Sequence, residues 1–174
     1  MRLACRGLAA SVILWAVASA VACHGATATY PPTLPHALLD KPLPDLHRWS
    51  TLDGAPVNPA ALSGHAVVVK FFASYCEPCK RTLPAVERAH EAHAHVVFLG
   101  VSEDEQTDAA KGMVAQYGLT FPVIKDRGQT LFGRFRVDTI PATFVVDRSG
   151  TIRWVGGGGQ SEEDLVAAIE AADR

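Results

Sequence analysis

Residues Val67–Phe72 read Val-Val-Val-Lys-Phe-Phe, a nearly continuous run of β-branched and aromatic side chains. A strand with one wet face alternates apolar with polar residues, so this run predicts a strand covered on both faces. Directly behind it, residues 78–93 place Leu83, Val86, Ala89 and Ala92 at helical spacing among Lys80, Arg81, Glu87, Arg88 and Glu91. That pattern predicts an amphipathic helix, kinked at Pro84, where a backbone donor is missing and the ring crowds the preceding turn. A buried strand feeding such a helix needs further strands beside it and helices above and below it.

The rest of the chain supplies them. Residues 96–101 (VVFLGV) read as a second buried strand, 107–117 as a helix closed by Gly118, and 121–125 as a short edge strand. Residues 130–137 predict a short helix, and 142–147 and 151–155 two strands joined as a hairpin by Arg148-Ser149-Gly150. Ser161-Glu162-Glu163-Asp164 opens a last helix as a capping box, with its acids where the helix dipole favours them. Upstream, residues 46–57 carry a strand-like pattern broken at Asp53-Gly54, a dipeptide favoured in hairpin turns. The sum is an α/β fold with a central mixed sheet flanked by helices and an N-terminal β-hairpin extension.

The chain has 174 residues, 48% hydrophobic and 20% charged, which excludes a disordered, collagen-like or polytopic membrane protein. Its net charge of −2 includes no basic run, so no nucleic-acid partner is expected. Residues 1–22 begin with Arg2 and Arg6, continue through an apolar run and end in Ala20-Val21-Ala22, as a secretory signal peptide does. The run of about 14 apolar residues is short of the roughly 20 that span a bilayer. Residues 23–44, rich in Pro, Ala and Thr and without period, read as a flexible tether, leaving 45–174 as the folded domain. An exported protein in the periplasm or cell envelope is expected. Ala20-Val21-Ala22-Cys23 also resembles a bacterial lipobox, which implies lipidation of Cys23 and attachment to the membrane. The alternative is ordinary cleavage here or after Ala28, with Cys23 free or lost.

Four cysteines are too few for a disulfide-stapled scaffold, and Cys5 departs with the signal peptide. Cys76 and Cys79 lie in Tyr75-Cys76-Glu77-Pro78-Cys79-Lys80, where the strand ends and the helix begins. Unpaired N–H groups and the dipole at a helix N-terminus favour an anion, so Cys76 is expected to ionise more easily than a free thiol. The thiolate is the attacking species in thiol–disulfide exchange. Cys79 lies one helical turn on and can close on Cys76 to release a mixed-disulfide partner. Cys76 is therefore the nucleophile and Cys79 the resolving thiol, together a redox-active disulfide. Pro78 is tolerated in a first turn. Glu77 opposes ionisation of Cys76 and Lys80 favours it. Zinc takes four ligands, and the chain has no second C-x-x-C or Cys/His pair at finger spacing, so no metal is expected.

These residues resemble the thioredoxin superfamily, and within it the exported TlpA/ResA-like branch related to the AhpC/TSA and redoxin group. Phe71 to Cys79 (FFASYCEPC) looks like that branch's F-W-A-x-W-C-x-P-C run, with Tyr75 replacing the tryptophan as an aromatic lid. Pro84 matches its helix-kinking proline, Thr139 to Phe144 its x-P-T/A-x-F segment, and Asp147 to Ile152 its D-x-x-G-x-I hairpin. The resemblance implies that the Ile140–Pro141 bond is cis, that Pro141 lies against the Cys76 sulfur, and that the Ile140 backbone pairs with an extended substrate segment. Tyr75, Ile140 and Pro141 would then be the substrate-binding residues. Relatives place a buried Asp where this chain has Lys70, or a Glu at the position of Thr82. With neither carboxylate present, the proton acceptor for Cys79 is water, Glu77, or Lys70 neutralised by burial.

His90, His93 and His95 read as a solvated helix end, and the run Gly156–Gly159 as a flexible turn, since it lacks the Lys-Ser/Thr of a phosphate loop. No cofactor is expected. The function expected is a monomeric extracytoplasmic thiol–disulfide oxidoreductase, a reductant of protein disulfides supplied by an upstream membrane electron donor. By resemblance, apocytochrome c is a candidate substrate. Two alternatives use the same cysteines. One is a thiol peroxidase, although Val69 and Ala73 occupy the Pro and Thr positions of that pattern. The other is a Cu(I) carrier employing Cys76, Cys79 and a histidine.

Overall fold

A computed structural model describes residues 28–46 and 48–174. The expected signal peptide and Cys23 lie outside these residues. Five strands form one mixed sheet: β1 (Val67–Phe72), β2 (Val97–Ser102), β3 (Val123–Lys125), β4 (Ala142–Val146) and β5 (Ile152–Gly156). Their order is β3-β2-β1-β4-β5. β1 pairs in parallel with β2 and antiparallel with β4, so it is the central strand, and all six of its residues are buried. Among the described residues four α-helices flank the sheet: α1 (Glu77–Ala92), α2 (Thr107–Tyr117), α3 (Thr130–Phe135) and α4 (Glu162–Ala172). α1 continues through Pro84 as one helix. The mixed sheet flanked by helices is the α/β architecture expected.

Alternation along the strands sorts the core into two layers. Val68 and Phe72 of β1, Phe98 of β2 and Val145 of β4 pack with Leu83 and Val86 of α1 and Leu165 and Ile169 of α4. On the other face, Val67, Val69 and Phe71 pack with Phe144, Ile124 and the α3 residues Leu131, Phe132 and Phe135. Phe71 lies edge-on to Phe132, with ring centroids 5.0 Å apart, in a geometry aromatic pairs favour. Lys70 belongs by parity to the first layer, among apolar side chains.

One expectation is corrected. The described part of the segment expected as a tether is bound along β5: Leu34 N–H donates to Val155 O at 2.9 Å, Asp40 N–H to Ile152 O at 2.8 Å and Leu43 N–H to Gly150 O at 2.8 Å. The Trp154 indole N–H also donates to Pro32 O at 2.9 Å. β5 ends the sheet, and an edge strand left bare would expose its unpaired backbone groups. Proline-rich composition suggested a linker, but these residues cover that edge. Residues 46–57 turn at Asp53-Gly54, with Gly54 at φ +83°, and pair as a short hairpin: Thr51 N–H donates to Ala55 O at 2.9 Å and Val57 N–H to Trp49 O at 2.8 Å, on either side of the Ser50–Pro56 bridge. The hairpin docks on β3 through Leu52 N–H to Val123 O, 2.7 Å.

β2 packs tightly enough to need glycine at its middle. A Cβ at Gly100 would lie 2.9 Å from Val123 Cγ2, 3.1 Å from Phe72 Cε1 and 3.2 Å from a Phe121 ring carbon. All three neighbours are buried and have little room to yield. Gly100→Ala is expected to destabilise the fold by roughly 1–3 kcal/mol, the usual cost of overpacking, read as a lower urea midpoint with an unchanged m-value.

Candidate active site

The site begins with a sulfur that caps a helix. Cys76 is the N-cap of α1, and its Sγ accepts the backbone N–H of Cys79 at 3.1 Å. Cys76 and Cys79 are joined as a disulfide with their Cα atoms 5.2 Å apart. Cys76 retains 6% exposure and Cys79 none, so of the two cysteines Cys76 is the one that reaches the surface. The same N–H and the dipole of the 16-residue helix favour a thiolate at Cys76 once the disulfide is reduced. Pro78 stands in the first turn, where its missing donor costs nothing.

The loop before Cys76 is fastened by a buried carboxylate that the sequence did not single out. Asp104 accepts the Ser74 backbone N–H at 3.1 Å, the Ser74 hydroxyl at 2.6 Å and the Ser102 hydroxyl at 2.9 Å. Its neighbour Glu103 accepts the hydroxyl of Tyr75, which is 66% exposed. The phenol pKa is pushed up to about 12, first by lost hydration and then by the Glu103 carboxylate. Tyr75 is thus an exposed aromatic beside the disulfide rather than a closed lid.

The expected opposition of Glu77 and Lys80 takes the form of an ion pair: Lys80 Nζ donates to Glu77 Oε1 at 2.5 Å. The two charges largely cancel each other before either acts on Cys76.

The Ile140–Pro141 bond is cis. Antiparallel pairing sets Ala142, at the start of β4, opposite Phe71 near the end of β1, and so brings Pro141 to the end of the sheet from which Cys76 emerges. The glycine run reaches the same place. A Cβ built on Gly158 would sit 3.3 Å from Pro78 Cβ and 3.5 Å from Pro141 Cδ, and one on Gly157 would sit 2.9 Å from Leu34 Cδ1. The run expected as a plain turn is therefore a bare backbone wall against both prolines. A cavity of about 350 Å³ lies alongside, lined by Leu34, Trp154 and the glycines. Leu34 and Tyr75 are the exposed large hydrophobic residues among those described. Only the tertiary fold could reveal the part played by Leu34 and Gly158, since nothing in their local sequence points to a site.

The three histidines have separate surroundings, and His90 is part-buried rather than on a solvated helix end. His93 contacts Ala89 O at 2.8 Å, His95 lies 2.8 Å from Asp173, and His90 packs against Phe98 and Phe121. Among the described residues no three His, Cys, Asp or Glu side chains converge as a metal-ligand group.

Lys70 lies beneath α1, with no exposed surface. Its Nζ donates to Thr82 Oγ1 at 2.9 Å and to Thr143 Oγ1, directly across the sheet, at 3.0 Å. Burial without a compensating anion pulls its pKa from 10.5 down to about 7. The unfolded chain then binds a proton that the native disulfide form does not between about pH 7 and pH 10.5. Stability should rise with pH across that window, by up to about 1.4 kcal/mol per unit, and be lowest below it, where both forms are charged. Lys70→Met should flatten the slope, as measured by denaturant unfolding of the disulfide form at intervals from pH 6 to 10.

Comparison with known proteins bears on this geometry. The model of the AhpC/TSA family matches residues 39–155. A thiol-disulfide oxidoreductase ResA of Bacillus thuringiensis (strain Al Hakam) is 31% identical over 116 residues, 66% of this chain and 67% of that one. A secreted Mycobacterium tuberculosis disulfide oxidoreductase, described as homologous to E. coli DsbE, superposes with a TM-score of 0.66 at 25% identity. That match covers 71% of this chain and 93% of the other. MTB DsbF, solved in mixed oxidised and reduced forms, gives a TM-score of 0.67 at 28% identity over 83% and 99% of the two chains.

Proposed function

We propose that this chain, which belongs to the AhpC/TSA family, is an extracytoplasmic thiol–disulfide oxidoreductase that exchanges disulfides with protein substrates and works as a reductant. The observation that carries this reading is the Cys76–Cys79 disulfide at the head of α1, with Cys79 fully buried, Cys76 retaining some exposure, and a backbone N–H aimed at the Cys76 sulfur. The thiol-disulfide oxidoreductase relatives support the reaction class, and the secreted relative and the signal-like residues 1–22 support export.

In the reduced protein the Cys76 thiolate attacks one sulfur of a substrate disulfide. A bond forms between Cys76 and that sulfur, and the other substrate sulfur leaves as a thiolate. Cys79, as a thiolate, then attacks Cys76 Sγ, closes the 76–79 disulfide and expels the second substrate thiolate. The substrate gains two electrons and the protein loses them. A membrane electron donor restores the dithiol. Tyr75, the Ile140 backbone and Pro141 hold an extended substrate segment across the accessible sulfur, with apocytochrome c a candidate substrate. Lipidation at Cys23 would hold the domain, acting as a monomer, close to its donor.

Cys79→Ala blocks the second step and is expected to accumulate mixed disulfides between Cys76 and envelope proteins, seen as dithiothreitol-sensitive adducts on gels. Cys76→Ala should form none and lose disulfide reduction to background. The reading fails if the Cys79 variant traps nothing and the wild type shows no dithiol-dependent reduction of a model disulfide.

A further inference from the structure

Lys70 is chemically out of place in the layer it occupies. A lysine ammonium carries three N–H donors, whereas a neutral amine carries two and keeps a lone pair. Two acceptors meet Lys70, the hydroxyls of Thr82 and Thr143 at 2.9 and 3.0 Å. A neutral amine is fully matched by this pair, whereas an ammonium would leave one buried N–H without an acceptor. The Thr82 hydroxyl lies 3.2 Å from Cys79 O, so two hydrogen bonds join the amine to the backbone of the resolving cysteine. Both side chains have zero exposure, and Lys70 shares by strand parity the layer to which Cys79 belongs.

Other ionisable groups packed on this face are engaged elsewhere. Glu87 of α1 accepts the Thr120 N–H at 3.0 Å and the Thr120 hydroxyl at 2.5 Å. Asp104, after β2, is held by Ser74 and Ser102, and His90 of α1 lies between Phe98 and Phe121. α4 turns Leu165, Ala168 and Ile169 to this layer, α2 contributes Met113, and β4 contributes Val145 beside Thr143. Of these ionisable groups Lys70 is the one tied by hydrogen bonds, through Thr82, to the residue that resolves the exchange.

We infer that Lys70 is the buried base of the resolving step: the proton lost by the Cys79 thiol ends on the Lys70 amine. This rests on the exchange reaction proposed above. A neutral thiol and a neutral amine become a thiolate and an ammonium, and the new charges offset each other in a layer that would penalise either alone. The Cys79 thiolate then attacks Cys76 Sγ, the 76–79 bond forms, the bond from Cys76 to the substrate sulfur breaks, and the departing thiolate carries away the electron pair. With the disulfide closed no anion remains, and Lys70 returns its proton to solvent. The base thus resets with each turnover.

The test separates this step from the reaction itself. Reduced protein is treated with dithionitrobenzoate at acidic pH to load Cys76 with thionitrobenzoate. After a jump to each of several pH values, release of the coloured thiolate reports attack by Cys79. In the wild type, release should rise with pH and level off as Lys70 becomes neutral. In Lys70→Met it should fall on the order of 10²-fold at pH 7, the typical contribution of a positioned base, and regain the wild-type rate only at alkaline pH. A second measurement needs no variant: in ¹³C-lysine-labelled wild type, the Lys70 titration midpoint should move upward when the disulfide is reduced. Superimposable pH profiles, or a midpoint indifferent to redox state, would overturn the role of Lys70. Failure of Cys76 to form the adduct at all would instead overturn the oxidoreductase reading.

Discussion

Burial of β1 on both faces and along both edges is the constraint from which the site follows. A strand so enclosed cannot slide by one residue without driving Val67, Val69 and Phe71 into the wrong layer, because side chains alternate across the sheet. Its register with β2 and β4 is therefore locked, and so is the point at which the chain leaves the sheet. That exit is the short loop before Cys76, fastened from below by Asp104 and continued at once by α1. The reactive pair is thus mounted on rigid elements, with a helix dipole behind it and an exposed aromatic, Tyr75, beside it.

The same enclosure explains the internal polar group. A lysine at the centre of β1 cannot extend to water, so its amine is met by hydroxyls from two partners, Thr82 of α1 and Thr143 of β4. Burying an amine is tolerable when it is neutral and costly when it is charged. Stability and redox chemistry are in this way tied to one proton. The ion pair between Glu77 and Lys80, by contrast, sits at the surface, where such pairs are screened and contribute little.

Much of the fold was legible because its signals are local. The apolar run of β1, the helical periodicity of α1, Gly118 in the left-handed conformation at the end of α2, and the capping box of Ser161 and Asp164 each depend on neighbours in sequence. Residues 32–43 were misjudged for the complementary reason. A proline-rich stretch carries no period, and its structure comes from the remote edge of β5 to which it binds.

The sequence by itself determined the reactive pair, its place at the head of a helix and the order of strands and helices around it, since spacing, dipole and hydrophobic period are properties of adjacent residues. Only the tertiary structure decided which groups gather about that pair. Thr143 reaches Lys70 through an antiparallel pairing 73 residues apart in sequence, and Asp104 reaches Ser74 across 30. Leu34 meets Gly157, next to the Gly158 that faces Pro141, because residues 32–43 cover a sheet edge. Such contacts are set by the closing of the sheet around β1, a long-range event that no window of residues contains.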